Sequence, residues 1–441
     1  MELNFTQGSI TSKLLKFTIP ILIALILQQL YGAVDLLIVG NFASSSDVSA
    51  VSSGSQLIAS FIYLVAGLSM GTTILLGKKI GAKEYNDAGK VIGGGIYIFI
   101  IIAIFITILI GFFPEFSSNL MNAPEAAFDQ TVSYIKIMGF GSVFLVAFNI
   151  LGSIFRGLGD SKTPLIAVSI ATVANIVLDY IFIKEFKLGA SGAAIATVIA
   201  QAISVIFSLV IIFKKKLNFN FDLKMIKYQK EYTKKTISLG IPVALNSFLV
   251  SLSFLFIMAI ANQFGVTISA GIGITERLIG FLMIIPMSFG QSLASFTAQN
   301  VGAKLEKRAE RGLYVAVTIS IMVAIITIIV TLLFGEKMLG IFSNDKDVIA
   351  IAFDYLKAYC FDIFLTATLF CFIGFFNGHG KTSFTMYQGL IGSLIFRIPF
   401  SYLFSLYQPT SVFLIGLATP IGTFFQNAFC FYYFYHIRKK Y

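Results

Sequence analysis

The chain has 441 residues, of which 57% are hydrophobic and only 12% charged, with 46 Phe and no Trp. Soluble domains carry about 25% charge, so the composition excludes a string of soluble domains and indicates a polytopic membrane protein. The net charge of +11 invites a nucleic-acid partner, but Lys and Arg are scattered over short loops between apolar runs, a topological pattern that excludes one.

A helix needs roughly 20 apolar residues to cross a bilayer core, where its backbone must satisfy itself. Apolar runs between polar breaks give twelve predicted spans, numbered 1–12 in chain order: 14–39, 48–76, 91–113, 131–155, 164–183, 190–213, 236–262, 269–297, 313–334, 349–376, 383–405 and 412–435. Lys13 and Lys16 before the first run resemble a signal peptide. That run continues past Ile38 without a small-residue cleavage site, so it reads as a retained span. With the N-terminus inside, cytoplasmic segments collect 24 of the 32 basic residues and outside loops only four. Both termini are therefore expected in the cytoplasm, the protein being integral to a bacterial inner (plasma) membrane.

The two halves match at an offset of 221–222 residues. Pro20 answers Pro242, Gly81-Ala82-Lys83 answers Gly302-Ala303-Lys304, and Gly157 and Gly159 answer Gly378 and Gly380. Tyr180 likewise answers Tyr402, and Ala196-Thr197 answers Ala418-Thr419. Six spans per repeat is an even number, so both repeats run the same way through the membrane. The expected fold is all-α: two six-helix bundles about a pseudo-two-fold axis along the membrane normal, with a central cavity. The N-lobe is expected at 1–213, a basic cytoplasmic linker at 214–235 and the C-lobe at 236–441.

Charges inside spans are costly and face the bundle interior. Asp35 lies in span 1, Asp179 in span 5, Glu276 in span 8 and Asp362 in span 10, with Arg277 and Arg397 among them. At a rise of about 1.5 Å per residue, Asp35, Asp179 and Thr197 sit roughly 8–10 Å below the outer ends of their spans and Asn175 near 14 Å. Asn175 and Asp179 share a helix face, as do Thr197 and Gln201, while Gln28, Tyr31 and Asp35 form a stripe on span 1. These hard oxygen ligands suit Na⁺. Equally, two neighbouring carboxylates in low dielectric should hold one proton when no cation is present. For a single Asn, Thr or Gln the alternative role is a hydrogen bond between helices.

The C-lobe leaves more open. Glu276 and Asp362 fit either cation recruitment or pairing with Arg277 and Arg397. Met283 and Met287 lie on one face of span 8, where with the many Phe they suit an adaptable apolar substrate pocket. Pro20 and Pro242 stand where each lobe's first helix can bend, and the glycines at 93–95 suit close helix packing. No GxxxxGK[ST] loop indicates an ATP motor. Cys360, Cys371 and Cys430 sit in apolar runs, and His379 and His436 at segment ends, so neither disulfides nor zinc chemistry is expected.

The pattern resembles the multidrug and toxic compound extrusion (MATE) family over essentially the whole chain. The resemblance rests on Gln-x5-Val-Asp-x3-Val-Gly at Gln28–Gly40, GTTILLGKKIGAK at Gly71–Lys83, and Phe-Arg-Gly-Leu-Gly-Asp at 155–160. It rests also on Asn175-x3-Asp179, on Gly192-Ala-Ala-Ile-Ala-Thr197 and on Ala298-Gln-Asn-Val-Gly-Ala303. It implies export of cationic amphiphilic compounds in exchange for inward Na⁺ or H⁺, with the cation held at Asp35, Asn175, Asp179 and Thr197, and with Asn149 as a further member. The sequence is similar to the branch that carries this N-lobe cluster. Val250 stands where another branch has a glutamate, and Asp362 lies about one turn before that branch's span-10 acid, so no C-lobe ion site carries over. The expected substrate-cavity residues are Gln28, Tyr31, Gln201, Glu276, Asp362, Met283 and Met287. Such an exporter is not an enzyme, needs no cofactor beyond its coupling ion, and is expected as a monomer among membrane lipids. The rival expectation is a flippase for lipid-linked oligosaccharide, whose anionic cargo would favour basic rather than acidic groups in the N-lobe.

Overall fold

Each predicted apolar run forms helix in the computed structural model, which describes residues 3–214, 221–407 and 411–438. Among those residues there is no strand, and twelve helical stretches are long and apolar enough to cross a bilayer. They are span 1 (Ile10–Phe42), span 2 (Ser45–Gly81), span 3 (Tyr85–Gly111), span 4 (Glu125–Gly157), span 5 (Lys162–Glu185) and span 6 (Gly189–Lys214). The second half gives span 7 (Lys230–Asn262), span 8 (Val266–Gly302), span 9 (Glu306–Leu339), span 10 (Lys346–Gly378), span 11 (Thr382–Tyr407) and span 12 (Val412–His436).

Most spans overrun their predicted limits, because hydropathy marks the bilayer core whereas capping sets the helix ends. Span 2 begins with a capping box: Asp47 N donates to Ser44 Oγ (3.2 Å) and Ser44 N donates to Asp47 Oδ2 (3.1 Å). Span 8 is interrupted at Met283 between helices Val266–Leu282 and Ile284–Gly302. Pro286 lacks the N–H that the Leu282 carbonyl would accept, and the helix parts there. Met283 stands at the break itself and Met287 one turn beyond it, its N–H donating to the Met283 carbonyl (3.1 Å). Wider π turns occupy Thr107–Gly111, Tyr180–Glu185 and Ile391–Arg397, the last just before Pro399.

Packing divides the chain into two units: Met1–Asn4 with Ile19–Ala244, and Phe5–Thr18 with Leu245–Tyr441. The division falls inside spans 1 and 7, beside Pro20 and Pro242. In the first unit, the early part of span 7 lies against span 2 at backbone distance. A Cβ on Gly71 would meet the Thr236 carbonyl oxygen at 2.2 Å, and one on Gly240 the Leu68 oxygen at 2.4 Å. The glycines of span 3 serve a neighbour other than a helix as well: a Cβ on Gly93 would sit 2.1 Å from the Met225 carbonyl, in the 3₁₀ turn Leu223–Met225 that precedes span 7. Gly95 faces Thr72 of span 2, as helix packing requires. The remainder of the expected linker, 215–220, lies outside the described residues.

In the second unit the N-terminal segment is strapped down. The ring of Phe5, fully buried, packs edge-on against Phe17 and tilted against Phe296. Phe5 N donates to Gln299 Oε1 (3.2 Å), while Asn300 and Arg308 donate to the Phe5 carbonyl, at 3.3 and 2.9 Å.

The repeat is visible in the backbone. Lys83 and Lys304 hold left-handed φ of 60° and 59°, and Gly159 and Gly380 have φ of 82° and 77°. At each of these four helix ends an N–H reaches back five residues: Glu84 to Lys79, Leu305 to Asn300, Asp160 to Phe155 and Lys381 to Phe376. These are Schellman closures repeated at twin positions.

Candidate functional site

Three spans of the first unit converge on buried polar groups. Asp35 comes from span 1, Asn175 and Asp179 from span 5 and Thr197 from span 6, with Asp35 6% exposed and Asn175 and Asp179 fully buried. Asp179 is the last α-helical residue before the π turn Tyr180–Glu185. The chain then reverses through Gly189, whose φ of 54° and position against Asp47 leave no room for a side chain. Ala190 N donates to Asp47 Oδ1 (2.9 Å), tying the start of span 6 to the capped start of span 2. This rim fixes the register in which spans 5 and 6 present their polar faces.

Within the group, Thr197 Oγ1 donates to Asp35 Oδ2 at 3.4 Å, and Tyr31 Oη donates to the Thr197 carbonyl at 3.5 Å. Asp179, Asn175 and Thr197 are the groups turned toward the Asp35 carboxyl. Asp35 Oδ1, both Asp179 oxygens, both Asn175 side-chain atoms and Gln201 Oε1 are buried without a hydrogen-bond partner. A buried polar atom left unpaired costs about 1–3 kcal/mol, and these six atoms on four residues leave the group able to take a ligand. Two carboxylates, an amide oxygen and a hydroxyl fit a hard monovalent cation, and the same pair fits a proton shared between the acids.

The sequence did not single out Tyr134 of span 4. It is 2% exposed, lies near both acids, and its ring packs on Gly54, where a Cβ would approach to 2.4 Å. Its one signal was the repeat, since Tyr355 stands at the corresponding place. Asn149 is placed differently: its amide donates to the Leu145 carbonyl (2.9 Å), and it lines a small apolar cavity with Ile58, Val65 and Ile110. Gln28 is exposed, whereas Tyr31 and Gln201 are half-buried.

In the second unit, Tyr355 Oη donates to Glu276 Oε1 (3.1 Å) and Thr366 Oγ1 to Asp362 Oδ2 (2.9 Å). Arg397 is buried, donates to Ser253 Oγ (3.1 Å), and its guanidinium lies 4.7 Å from the centre of the Phe254 ring. Among the described residues, no ion pair joins it to Glu276 or Asp362, although both acids lie within its field. Arg277 is exposed, and Met283 and Met287 are half-buried. No cluster of three or more His, Cys, Asp or Glu side chains occurs among the described residues.

The sequence matches the MatE family profile twice, at residues 20–181 and 242–403. The two matches are displaced by the offset at which the halves resemble each other. It is 27% identical to the probable multidrug resistance protein YpnP of Bacillus subtilis (strain 168), over 99% of this chain and 97% of that one. It is 25% identical to the multidrug export protein MepA of Staphylococcus saprophyticus, over 88% and 86% of the two chains. The fold superposes on a MATE crystal structure in complex with MaL6, with TM-score 0.93, 21% identity, and coverage of 99% and 98%. An outward-facing multidrug resistance MATE family transporter of the MOP superfamily gives 0.91, at 21% identity over 97% and 96%.

Proposed function

The chain belongs to the MatE family, and from that premise we propose that it is a secondary active multidrug exporter, expelling cationic amphiphilic compounds in exchange for inward Na⁺ or H⁺. We place it in the branch whose coupling ion binds at Asp35, Asn175, Asp179 and Thr197. The buried, unpartnered oxygens of Asp35 and Asp179 carry this reading. The multidrug names of YpnP and MepA support the cargo class.

The chemistry follows from charge. With neither ion nor cargo present, two adjacent buried carboxylates repel and hold one proton between them. A cation entering the group is held by Asp35 Oδ1, Asp179, Asn175 Oδ1 and Thr197 Oγ1. Once neutralised, the group no longer attracts a cationic cargo. A ligand shifts a conformational equilibrium only by its differential affinity for the two states, and exclusive occupancy by ion or cargo supplies that difference during alternating access.

The test is dye efflux from proteoliposomes, with ethidium as cationic probe and imposed Na⁺ or pH gradients. Wild-type protein is expected to drive ethidium against its gradient, and Asp35→Asn to abolish this while remaining folded in the membrane. Efflux by Asp35→Asn at wild-type rate and protein level would refute the assignment.

A further inference from the structure

The repeat assigns each ion-site residue of the first unit a twin in the second, and the twins are chemically opposite. At the offset of 222 shown by both family matches, Asn175 corresponds to Arg397, Asp179 to Ser401, Thr197 to Thr419, Asp35 to Ile257 and Tyr31 to Ser253. The register is anchored on both sides, by Tyr180 against Tyr402 and by Ala196-Thr197 against Ala418-Thr419. All five twins are buried. Where one unit presents two acids and an amide, the other presents a guanidinium.

We propose that Arg397 is a tethered cation, filling in the second unit the place that an exchange ion takes in the first. Three observations of the second unit carry this. The guanidinium is held by the twin of Tyr31, since Arg397 Nη1 donates to Ser253 Oγ (3.1 Å). Two further twins carry a buried polar atom without a partner, Ser401 Oγ and Thr419 Oγ1, and so does Arg397 itself at Nε. The acids absent from the twin positions are supplied from other spans: Asp362 from span 10, with Oδ1 unpartnered, and Glu276 from span 8, both within the field of Arg397. Arg397 also ends the π turn Ile391–Arg397, and Asp179 immediately precedes Tyr180–Glu185, so in both units a widened turn borders the place. The exchange ion then binds in one unit only, and the other keeps a permanent positive charge.

This inference rests on reading the Asp35 group as the ion site, and its test is run with that site disabled. Full-length Asp35→Asn and Asp35→Asn/Arg397→Ala proteins are melted in detergent with millimolar methylguanidinium chloride, or with NaCl at equal ionic strength. Removing the tether empties a place shaped for a cation. The double variant is therefore expected to melt about 2 °C or more higher with methylguanidinium, and Asp35→Asn alone to show no shift. No stabilisation of the double variant by either cation overturns the proposal. If Arg397→Ala does not fold, Arg397→Gln takes its place, with and without Glu276→Gln. Losing one acid should offset losing the guanidinium, and a double substitution melting no higher than Arg397→Gln alone overturns the proposal. The loss of transport in Asp35→Asn tests the first-unit site separately, and neither result depends on the other.

Discussion

Asp35 and Thr197 meet through a bond of 3.4 Å, long for an O–H···O contact, so its net worth is at most about 1 kcal/mol. Thr197→Val is accordingly expected to weaken coupling-ion affinity by about fivefold, read from the cation dependence of ethidium efflux. Asp179→Asn replaces a proposed ligand that has two unpartnered oxygens and should leave no measurable coupling. The convergence of Asp35, Asn175, Asp179 and Thr197 was legible because a charge in an apolar run is expensive enough to need a purpose, and helical spacing then says which residues share its face. Tyr134 carries no such penalty, since a tyrosine in an apolar run passes for core. Asn149 and Asn175 are equally polar on paper. They part only in three dimensions, where Asn149 spends its amide on its own helix and the side-chain amide of Asn175 is kept for its neighbours across the group.

Among the elements, the twelve spans were readable from hydropathy because a bilayer admits little except continuous helix. Their interruptions were less so. The break before Pro286 follows from a missing donor and could have been read from that proline, whereas no residue type announces the π turn at Tyr180–Glu185. The glycines of span 3 were recognised as packing residues, but not that their neighbour is partly a connecting segment. Hydropathy assigns a polar linker to water, and only the 2.1 Å clearance at Gly93 shows it docked. Gly93→Leu should displace the Leu223–Met225 turn, at a cost of about 1–3 kcal/mol. Limited proteolysis is expected to cut the variant between residues 221 and 235 faster than the wild type, with the spans themselves still protected.

For the whole molecule, duplication is the organising fact. It was legible in five sequence anchors, and it recurs as paired left-handed lysines and glycines at the same helix ends. The asymmetric distribution of Lys and Arg predicts the orientation: a reporter enzyme active only in the cytoplasm, fused after Tyr441, should be active, and one active only outside should be silent. Where packing divides the chain could not be read from sequence, because spans 1 and 7 each change allegiance within an unbroken apolar run.

That division bears on how the protein is made. As the ribosome delivers the chain, the first unit stays incomplete after its sixth span has entered the membrane, because the groove at Gly71 waits for Thr236 and Gly240. Phe5 meets Gln299 only after a further 294 residues have followed it. The segment around Phe5 is thus among the last parts to settle, and a nascent chain truncated before Gln299 leaves it undocked for quality-control proteases to find.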